Sequence, residues 1–355
     1  MHSIPKSKSG QLSDLLRDRL AAGTLGQKLP SERSLAEEFL VSRTTLRQAL
    51  AMLTKEQWIE RSTSTRGGRS LKRTTENTSP CKPRQVVVLT LLLQSSPLLH
   101  EQLASLREML GHARLPVHVQ EAGSLIERMA PDTSLRRIVN RHRDSIWILH
   151  KMPEAVQKWF ACSELPTVIF GSAFPGIDLP SIDIDYRAVA RHAAGLCLAR
   201  GCRQISILVH RTTLAGDTRT VDAVTAQLAL NGVPPPQVMH YDFNRLRLMD
   251  ALDREIVARL DSRDTLIVSN HHHLMTALPH LLRRGVRIPD DLSLVYLSND
   301  LSAERLSPLP YRYDVGSAHI RRLVQAVKAL ADGEMPASSL LIPKLLKGET
   351  LSPPC

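Results

Sequence analysis

Aromatic residues are scarce in this chain of 355 residues: Phe, Trp and Tyr together make up 4% of it. Hydrophobic residues still reach 43%, so the cores must be assembled from Leu, Val, Ile and Ala. No apolar run of about 18 residues occurs, so no membrane span is expected. The residues from Met1 to Lys6 lack the apolar stretch of a secretory signal. Cysteine is sparse too. Cys81, Cys162, Cys197, Cys202 and Cys355 form an odd, scattered set without a C-x-x-C pair, which reads as reduced thiols in a cytoplasmic protein.

Chemistry-bearing motifs are equally short. No strand–helix turn carries G-x-G-x-x-G or a P-loop, so no dinucleotide or nucleoside triphosphate cofactor is indicated. The G-x-S-x-G nucleophile elbow is missing. Asp183 and Asp185 alternate on a short strand and point opposite ways, which argues against paired acid–base work. His271, His272 and His273 are adjacent, cannot all converge on one ion, and have no Cys or Glu at ligand spacing; they read as a strand-end loop. Arg136, Arg137 and Arg143 read as a solvated helix face. No catalytic residue, metal or cofactor is expected.

What is present is charge, unevenly placed. The net charge is +11. Residues 1–85 hold 16 Lys and Arg against 8 Asp and Glu, whereas the other 270 residues hold 30 against 27. A basic amino-terminal module on a nearly neutral body suits contact with a phosphate backbone. The length predicts two or three compact units.

Leu12, Leu15, Leu16 and Leu20 recur at helical spacing and predict a first helix near 9–22. A second helix follows Pro30 and Ser31, turning Leu35, Ala36 and Phe39 inward. Ser42 sets the start of a third, running to about Thr54. On it Leu46, Ala49, Leu50 and Leu53 share one face, while Arg43, Thr44 and Arg47 share the other. Such a face suits a DNA major groove, where Arg grips guanine in a bidentate way and Thr reaches bases or phosphates; a solvated face with incidental arginines is the alternative. A short strand at 57–61 and the turn Arg66-Gly67-Gly68-Arg69 predict a hairpin, whose Arg66 and Arg69 would reach phosphates or the minor groove. Three helices and a basic-tipped hairpin make a winged helix-turn-helix.

Leu29, Pro30, Ser31, Glu32, Arg33, Leu35 and Ala36, then Ser42 through Leu50, then Trp58, Ile59 and Gly67, resemble the DNA-binding domain of the GntR family over roughly residues 10–72. The resemblance implies operator contacts by Arg33, Ser42, Arg43, Thr44, Thr45 and Arg47, with Arg66, Gly67 and Gly68 approaching from the wing. The wing itself departs from the family's Gly-x-Gly-Thr-Phe-Val-like run.

The winged helix-turn-helix is therefore assigned to residues 1–73, and the polar, proline-containing stretch 74–84 to a linker. From 85 to 350 short apolar runs alternate with amphipathic stretches. Strands are expected at 86–93, 117–120, 146–149, 167–170, 205–209, 266–268 and 292–297, and helices at 98–111, 187–200, 217–231, 247–261, 272–284 and 316–332. Alternating units of this kind imply α/β architecture with parallel sheets, here two doubly wound lobes.

Four segments, at Leu165–Ile169, Ile182–Ile205, Gly285–Val295 and Leu341–Leu345, resemble the effector-binding domain of LacI/GalR regulators, relatives of periplasmic binding proteins. Ligands of open parallel sheets lie beyond the strands' carboxyl ends. With that rule the resemblance places effector contacts at Ser95, Arg219, Asn270, His271, Ser298 and Asn299. His271, Ser298 and Asn299 stand where the family has acidic groups for sugar hydroxyls, which argues against a plain hexose. The expected protein is a ligand-responsive regulator of transcription: a cytoplasmic homodimer, away from the membrane, that binds double-stranded operator DNA and a carbohydrate or related metabolite. Two alternatives stay open, a DNA-binding protein whose receptor lobes bind nothing and a lobe that turns over a metabolite.

Overall fold

The computed structural model describes residues 8–21, 31–55, 59–61, 69–71, 85–90, 97–122, 131–202, 204–211, 214–242, 244–260 and 264–353. The chain divides into two compact units, Met1–Cys81 and Lys82–Cys355. The linker assigned to 74–84 lies outside the described residues.

The smaller unit holds three helices, α1 (Lys8–Ala21), α2 (Glu32–Glu38) and α3 (Arg43–Lys55), and a two-stranded antiparallel ribbon, β1 (Ile59–Arg61) and β2 (Arg69–Leu71). Its core is aliphatic. Leu12 and Leu16 of α1, Leu35 and Ala36 of α2, Leu46, Ala49, Leu50 and Leu53 of α3, and Ile59 of β1 are all buried together. Ser31 starts α2 by accepting from the Ser34 N–H at 3.2 Å. Ser42 does the same for α3, accepting from the Thr45 N–H at 3.1 Å. Between α2 and α3 the chain reverses at Leu40, whose φ of 50° is left-handed. The Val41 N–H returns to the Ala36 carbonyl at 3.0 Å, closing the end of α2 as a Schellman turn does.

The larger unit is a pair of six-stranded sheets. The first lobe is built on β3 (Gln85–Thr90), β4 (Val117–Glu121), β5 (Ser145–His150), β6 (Thr167–Phe170), β7 (Ser181–Ile184) and β13 (Ser339–Leu341), in the order β13-β7-β6-β5-β3-β4 and parallel throughout. Alternation along its strands covers both faces. Val86, Val88, Ile146 and Ile148 pack under α4 (Pro97–Gly111) and α11 (Ala318–Ala331). Val87, Leu89, Trp147 and Leu149 pack under α5 (Pro131–Arg141) and α6 (Glu154–Ala161).

The second lobe is built on β8 (Gln204–His210), β9 (Gln237–Tyr241), β10 (Asp264–Val268), β11 (Leu292–Tyr296), β12 (Tyr311–Asp314) and β14 (Lys344–Leu346), in the order β14-β12-β11-β10-β8-β9. Only the β12–β14 pair is antiparallel among the described strands. Helices α7 (Tyr186–Leu198) and α8 (Ala215–Leu230) cover one face, and α9 (Arg245–Glu255) and α10 (His271–Arg283) the other. The chain crosses between lobes after β7, after β12 and between β13 and β14, so neither lobe is continuous in sequence.

The long apolar strands fall within one to three residues of where their patterns place them; of the expected 86–93 strand, residues 91–93 lie outside the described residues. Helix α6 and strands β9 and β12 were not anticipated. Arg136 does lie on an exposed helix face, paired with Asp132 one turn back at 2.9 Å. The histidine triplet needs a correction. His271–His273 form the first turn of α10 rather than a loop, because the Asn270 side chain accepts from the His272 N–H at 2.9 Å and starts the helix there. Cys197 and Cys202, read as scattered, meet in the core of the second lobe. There Cys202 Sγ lies 2.8 Å from Thr265 Oγ1.

Candidate functional site

In the smaller unit, burial of Leu46, Ala49, Leu50 and Leu53 fixes the rotation of α3 and leaves Arg43, Thr44, Arg47 and Gln48 exposed. Arg47 Nε donates to Glu32 Oε2 of α2 at 2.8 Å. Arg33 Nε donates to Glu37 Oε1 at 3.1 Å, both side chains being well exposed. Surface pairs of this kind are worth about 0–1 kcal/mol, so a phosphate or base edge displaces either carboxylate easily. Arg43 has no ion pair among the described residues. Thr45 is turned back, its hydroxyl 2.8 Å from Ser42 Oγ, so Ser42 and Thr45 are engaged in starting the helix. Arg66, Gly67 and Gly68, the wing residues, lie outside the described residues.

In the larger unit a cavity of about 150 Å³ lies between the lobes, at the carboxyl ends of both sheets, as parallel topology dictates. The first lobe contributes His150 at the end of β5, Lys151 just after it, and Gly171 and Ser172 after β6. The second contributes His210 at the end of β8, Asn270 and His271 after β10, and Ser298 after β11. Of the residues expected here, Asn270, His271 and Ser298 line the cavity. Ser95 lies outside the described residues. Asn299 lines an adjoining cavity of about 500 Å³, where its amide accepts from Arg312 Nε at 2.8 Å and donates to Glu304 at 3.2 Å. Arg219 lines neither cavity. Its guanidinium ties α8 to the first lobe, donating to Asp183 Oδ2 at 3.1 Å and to the Ala173 carbonyl at 2.6 Å.

Sequence reading left out Lys151, Asp217, Asp300 and His319. Asp300 is buried behind the cavity. Its Oδ2 accepts from His271 Nδ1 at 2.9 Å and from the Tyr296 hydroxyl at 3.0 Å, and its Oδ1 accepts from two backbone N–H groups. Burial pushes the Asp300 carboxyl up, but these donors outweigh burial and hold it below its ordinary value. A carboxylate only accepts, so His271 Nδ1 carries the proton of that bond. His319 of α11 is similarly fixed: Nε2 donates to the Ile182 carbonyl at 3.2 Å. Burial holds its imidazole down at about 4, so the ring is neutral and its Nδ1 is a bare acceptor. Burial likewise lowers His150 and His210, each pushed further by Lys151. His150, His210 and His319 thus line the cavity as neutral imidazoles, suited to hydroxyl donors. Among the described residues no group of three or more His, Cys, Asp and Glu is arranged to hold a metal ion.

Both halves have known counterparts. Residues 8–66 match the family described as bacterial regulatory proteins, gntR family, and residues 194–351 match the periplasmic binding protein-like domain. The chain joins a gntR-family helix-turn-helix to a periplasmic binding protein-like domain. The gntR-type segment is 46% identical over 52 residues to the mannosyl-D-glycerate transport/metabolism system repressor MngR of Escherichia coli, covering 14% of this chain and 22% of that one. The regulator pepR1 of Lactobacillus delbrueckii subsp. lactis is 20% identical over 231 residues, 62% of this chain and 67% of its own. Thus the chain spans about a fifth of the first relative and two thirds of the second. Among solved structures, the periplasmic binding protein/LacI transcriptional regulator of Alkaliphilus metalliredigens, complexed with D-xylulofuranose, superposes with a TM-score of 0.64 at 16% identity, over 76% of this chain and all of that one. The two-lobed fold is shared. No helix among the described residues is long and apolar enough to cross a membrane.

Proposed function

We propose that the chain is a DNA-binding transcriptional regulator, acting as a repressor, whose grip on its operator is set by a small carbohydrate-like metabolite held between the two lobes. The observation that carries this reading is a single chain holding both parts: the exposed Arg43, Thr44 and Arg47 face of α3 and a cleft at the carboxyl ends of two parallel sheets. On this reading Arg33, Ser42, Arg43, Thr44, Thr45 and Arg47 meet the operator, together with the wing. Asn270, His271 and Ser298 meet the effector, while Arg219 acts from behind as a brace between lobes. A cytoplasmic homodimer would present two reading helices to a two-fold operator. A metabolite that closes the cleft shifts operator affinity to the extent that it binds one lobe arrangement better than the other. Binding and release, not turnover, is the role assigned to the cleft.

The test is a gel shift on DNA from the region upstream of the gene. Arg43→Ala and Arg47→Ala should each weaken specific binding by about 1–3 kcal/mol if the arginines touch bases. Unchanged affinity in both variants overturns the assignment of the reading face. The reading in which the lobes bind nothing is favoured instead if no sugar, nucleoside or sugar acid alters the shift or produces heat in calorimetry.

A further inference from the structure

Lys151 is the one feature of the cleft that a neutral sugar leaves unanswered. It follows β5 directly and holds a left-handed φ of 52°, a conformation non-glycine residues adopt at a cost. Its side chain lines the cavity. Among the described residues no hydrogen bond or ion pair engages its ammonium. Burial lowers its pKa and Asp217, across the cavity, raises it, yet the two do not close to ion-pair distance. The carboxyl of Asp217 is itself pushed up to about 6 by burial, against the pull of Lys151. The Lys151 ammonium therefore faces the cavity without an ion-pair contact among the described residues.

Two further observations fall on the same cavity. Helix α8 begins there, at Leu214, Ala215 and Gly216. Its cap residue is Leu214, which makes no side-chain cap hydrogen bond; the Asp217 N–H is bonded to the Leu214 carbonyl at 3.1 Å, which leaves the N–H groups of Ala215 and Gly216, at the positive helix end, for a ligand. The first turn is also closely seated: a Cβ on Gly216 would lie 3.1 Å from Ser172 Oγ and 3.2 Å from the Tyr186 ring. His319, 6% exposed, lines the cavity and carries a buried Nδ1 with no partner among the described residues.

We infer that the ligand of this cleft is a monosaccharide-sized polyhydroxy anion, whose oxyanion is held by the Lys151 ammonium and the start of α8 while its hydroxyls donate to His319 Nδ1 and Asp217. The inference rests on the receptor reading above and narrows it to one ligand class. Carboxylate and phosphate share the chemistry that Lys151 and a helix start recognise, so sugar acids and sugar phosphates are the two sources to be separated.

The experiment is calorimetric titration of the full chain at fixed ionic strength with matched compounds: D-glucuronate, D-gluconate and D-glucose 6-phosphate against D-glucose, and D-galacturonate against D-galactose. Inorganic phosphate serves as the bare oxyanion, read by its effect on the thermal unfolding temperature. At least one acid or phosphate should bind about tenfold or more tightly than its neutral parent, and phosphate should stabilise the native chain. Tight binding of an acid or of a phosphate decides between the two sources. Lys151→Met should abolish the preference and the phosphate effect, whereas Lys151→Arg should retain both. The unliganded unfolding temperature of each variant reports whether it is folded. Neutral sugars binding as tightly as their acids, or Lys151→Met keeping the preference, overturns the anion assignment and leaves the receptor reading in place. Absence of binding by every compound, phosphate included, overturns the anion assignment; whether operator release by metabolites outside this panel persists then decides the receptor reading separately.

Discussion

Lowering the pH from 7.5 to 5.0 should weaken the larger unit through its buried histidines. The burial that holds His319 and His273 at about 4 also keeps them uncharged in the folded state. Once unfolded, each regains the ordinary value of 6.5 and takes up a proton as the pH falls below it. The unfolded state then binds more protons, so stability drops between pH 6.5 and 4. Integrating one proton over that window gives about 2 kcal/mol lost per histidine by pH 5.0. Asp217 works in the opposite sense. Its folded value of about 6 lies above the ordinary 3.8, so the folded state takes up the proton first and regains about 1.4 kcal/mol over the same interval. His319→Phe removes one titrating ring while keeping an aromatic against Phe170, whose ring centre lies 4.4 Å away. Losing the bond to Ile182 costs the same at both pH values and cancels. Urea unfolding at pH 7.5 and 5.0, followed by Trp147 and Trp159 fluorescence, should show an acid-induced loss about 2 kcal/mol smaller in His319→Phe than in the native chain. An identical loss in both refutes the premise that His319 is buried neutral.

Two further outcomes follow from local geometry. Leu40 is 92% exposed and left-handed; Leu40→Gly relieves about 1–2 kcal/mol of backbone strain against about 0.5–1 kcal/mol of added chain entropy. A modest rise in the thermal midpoint of the small unit is expected, and a fall would show that Leu40 is packed in the functional form. Asp300→Asn replaces an acceptor-only group facing two donors, His271 and Tyr296, and should cost about 1–3 kcal/mol of stability together with effector affinity, measured by urea unfolding and calorimetry.

How much of this was legible beforehand depended on how much apolar surface each element buries. Strands such as β5 and β6 are buried along their whole length, so their apolar runs announce them. β9 buries one residue of five, Met239, and β13 none; edge strands of this kind leave little pattern. The α3 face was readable because Leu46, Ala49, Leu50 and Leu53 fix its rotation. The cleft was only half readable. Strand ends located Asn270, His271 and Ser298, and the same rule carried one residue further past His150 reaches Lys151. Nothing local marks His319, which comes from a helix separated from β3 to β7 of its lobe by the whole stretch from β8 to β12. Arg219 turns to a buried carboxylate, Asp183, a contact that spacing along the chain does not reveal.

The three crossings between lobes also dictate an order of assembly. The first lobe needs α11 to cover its sheet and β13 to complete its edge, and both are translated after the whole of β8 to β12. While the ribosome is still making the second lobe, Val86, Val88, Ile146 and Ile148 have no α11 above them. The helix-turn-helix, whose core closes by Ile59, faces no such delay. A nascent chain arrested near residue 315 would therefore carry a finished helix-turn-helix on unfinished lobes and, on the function proposed above, could occupy an operator before it could answer to a metabolite.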